Sequence, residues 1–222
     1  MQRVKIVGFG RVGTAVAGRL RERGFVLDKG DPELVLHCVP DRAISDVAAT
    51  VPVGPWIAHT SGATSLAALD PHERRFGLHP LQSFTRARGP EQLDGAYAAV
   101  TAETDAAREV GFLLARALGL EPFALDDSQR ALYHAGAVVA ASYLVTLHEA
   151  AADLLRAAGA PREALIPLMR RVIENDFELT GPVVRGDSQT LEAHLAAIHE
   201  RLPELEPLYR ALADATAEVA AR

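Results

Sequence analysis

From residue 3 to residue 126, short β-branched or wholly apolar runs alternate with amphipathic stretches, the pattern of strands alternating with helices. Val4–Val7 reads as a first strand, Phe25–Asp28 as a short second and Leu34–Val39 as a fully apolar third. Trp56–Thr60, Arg75–Leu78, Ala96–Thr101 and Pro122–Leu125 supply further strands. Helices are expected over Thr14–Leu20, from Pro40 and Asp41 through Ala49, over Ser65–Leu69 and over Asp105–Leu118. Such alternation predicts a mostly parallel sheet with right-handed crossovers. The order is interrupted once: only Lys29–Glu33 separates the second strand from Leu34, too short a span for a crossover helix.

Beyond Asp126 the pattern becomes helical throughout. Ser128–Ala158 reads as one long alanine-rich helix ending at Gly159, and Pro161 opens a second over Arg162–Phe177. The loop Thr180–Asp187 then leads to helices over Gln189–His199 and Pro203–Ala221. The expected organisation is therefore an α/β domain over residues 1–126 and an all-α domain over 127–222.

The junction after the first strand is the most specific local signal. Gly8, Phe9, Gly10, Arg11, Val12 and Gly13 form the G-x-G-x-x-G spacing between a strand and a helix. In that setting Gly8 permits the tight turn, Gly10 admits a pyrophosphate to the backbone, and Gly13 lets helix and strand pack closely. The free N–H groups and the positive end of the helix dipole complete an anion site. The reading is a Rossmann-like dinucleotide-binding start, trimmed after strand two.

Composition narrows the class. A chain of 222 residues with 29 acidic and 23 basic side chains has no basic run that would suit nucleic acid. No apolar stretch reaches the roughly 20 residues expected of a bilayer span, and the first strand begins too early for a signal peptide, so a cytoplasmic protein is expected. The one cysteine, Cys38, lies in an apolar run and reads as a core filler. No histidine, cysteine or carboxylate cluster has metal-ligand spacing, so no metal is expected.

Ligands of open parallel sheets bind beyond the carboxyl ends of the strands. At those positions stand Val39 and Pro40, then His59, Thr60 and Ser61, then His79, Gln82 and Ser83. Paired histidines there can exchange a proton with a carbonyl, hydroxyl or imine, or bind a carboxylate when protonated. Thr60, Ser61, Gln82 and Ser83 can orient substrate oxygens. Tyr133 and His134 begin the long helix near the domain junction and are candidates for the same cleft, whereas His148 fits helix packing. Arg185 can clamp a carboxylate or phosphate, or pair with Asp187. Asp28, about 20 residues beyond the first glycine, stands where an acid accepts from a ribose hydroxyl and favours NAD. Lys29 beside it points the other way. The absence of a G-x-S-x-G elbow disfavours a serine hydrolase.

Taken in order, the motifs around Gly8–Thr14, Val39–Ile44, His59–Gly62, Leu78–Phe84, Tyr133–Ala135 and Leu179–Asp187 resemble the Rossmann-like proteins with a C-terminal DUF2520 domain. Those proteins are distant relatives of pyrroline-5-carboxylate reductase, prephenate dehydrogenase and the 6-phosphogluconate dehydrogenase-like group. The resemblance implies an NADP-type site, with NAD not excluded, and a helical domain that forms a homodimer. It also implies that His79 and Pro80 lie near the substrate. Ser142 stands where that family commonly has asparagine, which alters a polar contact on the nicotinamide and substrate side.

The expected function is hydride transfer between NAD(P) and a small carbonyl, imine or hydroxy acid. His79, His59, Ser61 and His134 are the catalytic candidates. Thr60, Gln82, Ser83, Tyr133, Ser142 and Arg185 are the candidate substrate contacts. The rival reading is a ligand-binding protein that keeps the nucleotide fold without turnover; the trimmed second strand and Ser142 favour it.

Overall fold

The computed structural model describes residues 1–27 and 30–222. Six strands form one sheet in chain order: β1 (Val4–Val7), β2 (Leu34–His37), β3 (Trp56–His59), β4 (Arg75–Leu81), β5 (Tyr97–Thr101) and β6 (Glu121–Ala124). All neighbours are parallel except β4 and β5. Between those two strands lies no α-helix, only a 3-10 turn at Pro90–Leu93, so the chain folds back instead of crossing over.

The expected second strand is reduced to one bridge, Val26 against Arg3 on the far side of β1. Asp28 and Lys29 lie outside the described residues. The return to β2 is held by a side chain: the Glu33 carboxylate accepts from the Gln2 and Arg3 backbone N–H groups at 2.7 and 2.9 Å.

Strand alternation builds the core. Val4, Ile6, Leu34, Leu36, Ala58, Phe76 and Leu78 pack on the buried faces of α1 (Arg11–Glu22) and α3 (Asp105–Ala117). The opposite face buries Ile57 with Ile44 and Ala48 of α2 (Ile44–Ala48) and with Leu66 and Leu69 of a 3-10 turn. Thr104 caps α3, accepting from the Ala107 N–H at 3.2 Å.

β4 is longer than its sequence pattern suggests. Its last parallel pair with β3 is Gly77 with His59, yet it continues beside β5 through His79, Pro80 and Leu81. His79 therefore lies within a strand that overhangs its neighbour, not in the loop after it. The proline obscures the continuation, because it cannot donate to a ladder; here it stands where β5 is the only partner strand.

The chain divides into compact units Met1–Ala141 and Ser142–Arg222, so the first unit runs past residue 126 into the long helix. That helical run comprises α4 (Arg130–Val138), a π-helical turn at Val139–Tyr143 and α5 (Leu144–Ala157). By length and composition Asp127–Ala157 could cross a bilayer, with 31 residues and an 18-residue window of mean hydropathy 1.3, which corrects the expectation that no segment is long enough. Its hydropathy comes mainly from leucine and valine with alanine between them, and it carries Arg130, His134, Glu149, Asp153 and Arg156.

The second unit adds α6 (Leu165–Glu174), α7 (Ser188–Arg201) and α8 (Glu206–Ala220). Its buried apolar side chains are few, Ala152, Leu165 and Ile198, whereas Val145, Ile166, Leu168, Ile173 and Phe177 are exposed.

The glycine turn is the tightest backbone approach in the first unit. A Cβ on Gly13 would fall 1.9 Å from the Gly8 carbonyl oxygen, whereas one on Gly10 would meet nothing within 4 Å. Gly13→Ala should therefore lower the urea unfolding free energy by about 2 kcal/mol or more, and Gly10→Ala should stay within about 1 kcal/mol of the parent. Equal losses at both positions would contradict this packing.

Candidate active site

The glycine turn is built as a cradle. Gly8 has φ +96, and a Cβ there would press to 2.5 Å from the Cys38 carbonyl oxygen. Gly10 caps α1 with no side-chain partner for the first-turn N–H groups. Phe9 and Arg11 are exposed on the turn, Val12 packs on the core, and Val39 borders Gly8. Pro40 begins the turn at Asp41–Ala43. A closed Gly8, a closed Gly13 and an open Gly10 leave free donors facing space: this arrangement fits the diphosphate of a dinucleotide.

At the overhang of β4, His79 meets the start of α4. Its Nδ1 lies 2.8 Å from the Tyr133 hydroxyl, and its ring stacks edge-on with Tyr133 and His134 at centroid distances of 5.5 and 5.8 Å. Gly62 makes room for them: a Cβ there would lie 2.9 Å from His79 Nε2 and 2.5 Å from His134 Cδ2. Residues from two separate sequence motifs, His79 from one and Tyr133 with His134 from the other, thus form one cluster.

Burial, followed by the neighbouring His134 and Arg130, pushes the His79 pKa down to about 4, with Asp41 opposing. Asp41 follows Pro40 in the turn after β2. Burial raises the Tyr133 phenol to about 12. Near neutral pH both groups are uncharged. With the phenol donating to Nδ1, the imidazole keeps its proton on Nε2, the nitrogen beside Gly62.

Arg130 is the residue that the sequence pattern did not reveal. It is 1% exposed at the first position of α4, donating to Thr101 Oγ1 at 2.8 Å and, in a short contact, to the Ser61 carbonyl oxygen. Gly77 is required beneath it, since a Cβ there would lie 2.7 Å from Nη1. Asp127 stands 3.9 Å from its Nε while accepting from Ser65 Oγ and the Leu66 N–H. The available signal was an arginine opening an otherwise apolar helix three residues after an aspartate.

The remaining candidates occupy other places. His59 is fully buried, close to Arg130 at the end of β3, and both its ring nitrogens lack a partner. Ser61 turns its hydroxyl inward, donating to Thr64 Oγ1 at 2.9 Å and accepting from the Ala63 and Thr64 N–H groups. Thr60 donates to the His37 carbonyl. Gln82 donates to the Gln92 carbonyl and accepts from the Ser83 N–H, which makes both part of the β4–β5 connection's own bonding. Ser142 and Arg185 are exposed and belong to the second unit, where Asp187 caps α7 through Thr190 with the charge of Arg185 nearby.

These features define a Rossmann-like α/β protein with a glycine cradle and a histidine–tyrosine cluster, followed by a helical unit. The chain belongs to the family described as Domain of unknown function (DUF2520), which it matches over residues 96–216. In fold it is similar to BF3122 from Bacteroides fragilis, provisionally described as an NADP oxidoreductase, with a TM-score of 0.82, 19% identity and 98% of each chain covered. It is also similar to 1-pyrroline-5-carboxylate reductase from Streptococcus pyogenes, with a TM-score of 0.64 and 16% identity over 98% of this chain and 97% of that one. A third similar structure is reductive aminase from Aspergillus terreus in complex with NADPH and ethyl-5-oxohexanoate, with a TM-score of 0.60 and 18% identity over 99% and 88%. No curated protein matches the sequence.

The buried imidazoles make stability depend on pH. His37 and His59 are both fully buried, and burial holds their pKa values down to about 4 and about 3, with His72 and Lys5 acting on His37 and Arg130 on His59. The unfolded chain takes up protons near pH 6.5 and the folded chain does not, so stability is full above that pH and falls as pH drops towards 4. The expected loss between pH 7 and 4.5 is on the order of several kcal/mol by urea unfolding, with a flatter slope in His59→Phe. An equal slope in parent and variant would contradict the neutral His59.

Proposed function

We propose that the chain is a nicotinamide-dinucleotide-dependent oxidoreductase acting on a small carbonyl, imine or hydroxy acid. The observation that carries this reading is the contrast among the three glycines: Gly8 and Gly13 closed, Gly10 open. The fold shared with dinucleotide enzymes and the adjacent histidine–tyrosine cluster support it. The cradle Gly8–Gly13, with Val39 and Pro40 at its border, holds the dinucleotide. When bound, that cofactor supplies or accepts the hydride.

The chain's own groups manage charge and protons. His79 donates its Nε2 proton in a hydrogen bond to the substrate oxygen or nitrogen, where negative charge grows during reduction. A neutral imidazole in a desolvated place suits that task, because it is a donor at every pH well above 4. Tyr133 fixes the tautomer from behind, and His134 is the second proton-exchanging group beside it. His59, Ser61 and Thr60 act as positioning residues under the cluster.

NADP is the preferred cofactor in this reading, with NAD the weaker ligand. The exposed apolar residues of the helical unit are proposed to bury against a second copy in a symmetric homodimer. A monomer mass in light scattering at micromolar concentration would remove that part.

Calorimetric titration tests the central reading. The parent should bind NADPH below millimolar concentration, and Gly10→Val should abolish binding while leaving the circular dichroism spectrum unchanged. Failure of the parent to bind either dinucleotide would sink the proposal. A preference for NAD above about tenfold would overturn the cofactor assignment alone. With a substrate in hand, His79→Asn should reduce turnover by about 100-fold or more while changing dinucleotide affinity little. Loss of affinity without loss of turnover would remove His79 from the chemistry.

A further inference from the structure

We propose that Arg86 and Arg88, on the connection between β4 and β5, clamp the diphosphate of the dinucleotide from the side opposite α1. This assignment rests on the dinucleotide reading above and extends it to residues outside the glycine motif.

A cavity of about 320 Å³ opens at the glycine cradle, lined on one wall by Gly10, Arg11 and Thr14 and on the other by Arg86 and Arg88. Among the described residues, no carboxylate lines it. Among the described residues, none of these three guanidinium groups has a hydrogen bond or an ion pair. Arg3, Arg19, Arg75, Arg108, Arg130, Arg156, Arg162, Arg171 and Arg210 each have a carboxylate within 4 Å, so the three cavity arginines keep charge that those nine share with an acid. Glu91, the acid nearest in sequence, is already engaged: its Oε1 accepts from the Gly89 N–H at 2.9 Å.

The loop is also held in shape. Gln92, 6% exposed, donates to the carbonyls of Thr85, Arg88 and Gly89 at 3.2, 2.8 and 2.9 Å and accepts from the Thr85 N–H at 2.8 Å. Arg19 ties the base of the loop to α1 through Asp94 at 2.5 Å and the Pro90 carbonyl at 3.0 Å. Pro90 packs so closely on α1 that a Cβ at Gly18 would lie 2.9 Å from its ring. A loop braced from below while its arginines stand unpaired is organised before any ligand arrives, which lowers the entropic cost of binding.

The ligand chemistry follows from what shares the cavity. The first turn of α1 offers free N–H donors to an anion on one wall, and Arg86 and Arg88, whose planar guanidinium groups suit phosphate oxygens, line the other. The anion that the glycine cradle admits at Gly10 is a diphosphate, so the arginines engage its outer oxygens.

Calorimetry on the full-length protein with NADH, NADPH, ADP and 2′-AMP separates the possibilities. Arg86→Ala/Arg88→Ala should raise the Kd of NADH, NADPH and ADP by a common factor of about tenfold or more and leave 2′-AMP unaffected. Gln92→Ala should weaken the same three ligands less. Arg21→Ala/Arg23→Ala, which removes equal charge from the other end of α1, should change none of them. A loss confined to NADPH and 2′-AMP would overturn the assignment, because the arginines would then read the 2′-phosphate. Unchanged affinities in the double variant would remove the clamp and leave the dinucleotide reading standing. Failure of the parent to bind either dinucleotide would instead remove that reading, and the clamp with it.

Discussion

The candidate site depends on one buried cation. Arg130 loses its water, and a desolvated guanidinium is costly unless its donors are used. Two of its nitrogens are used, on Thr101 of β5 and on the Ser61 carbonyl that follows β3. The first turn of α4 is thereby fixed over the ends of the strands. Tyr133 and His134, three and four positions later, are delivered to His79 within that same turn. Removing the guanidinium would free the helix start, and removing Gly77 would leave it nowhere to sit.

Absent side chains make the rest of the site possible. Gly62 gives His79 and His134 the room to meet, Gly77 admits Arg130, and Gly8 with Gly13 lets α1 press against the ends of β1 and β2. Within the glycine turn, Gly10 is the position where a Cβ would meet nothing within 4 Å. Four of these five glycines are held by packing inside the protein, and the fifth is the one that the proposed reading leaves for a ligand. The same logic explains the buried imidazoles of His37 and His59, adjacent in register and both neutral, which extend a polar row from β2 towards Arg130.

Local signals made much of this legible from the sequence. The strand, glycine turn and helix at the N-terminus satisfy period, turn chemistry and spacing together, so the cradle was readable to the residue. His79, Tyr133 and His134 were each visible as polar residues at strand or helix boundaries. Their contact was not, because it depends on β4 running on through Pro80, where the proline masks the strand pattern. Val26 was overread, since a β-branched residue beside Phe25 and Leu27 looks like a strand even when only one bridge forms. The fold-back at β4 and β5 was hidden for the opposite reason: alternation implies parallel crossovers, and only the missing helix between residues 82 and 96 betrays the exception. Ser61 and His59 were legible as polar residues at the end of β3, but the direction of their side chains was not, and both turn into the protein.

In the proposed reading the glycine cradle and the His79 cluster serve a single bound dinucleotide. Diffraction from crystals grown with NADPH separates this from any other use of the two. Diphosphate density is expected over Gly10 and the nicotinamide ring beside His79, close enough for a substrate atom to lie about 3 to 3.5 Å from the reactive carbon. A nicotinamide ring directed away from His79, or a diphosphate bound anywhere but the cradle, would contradict it.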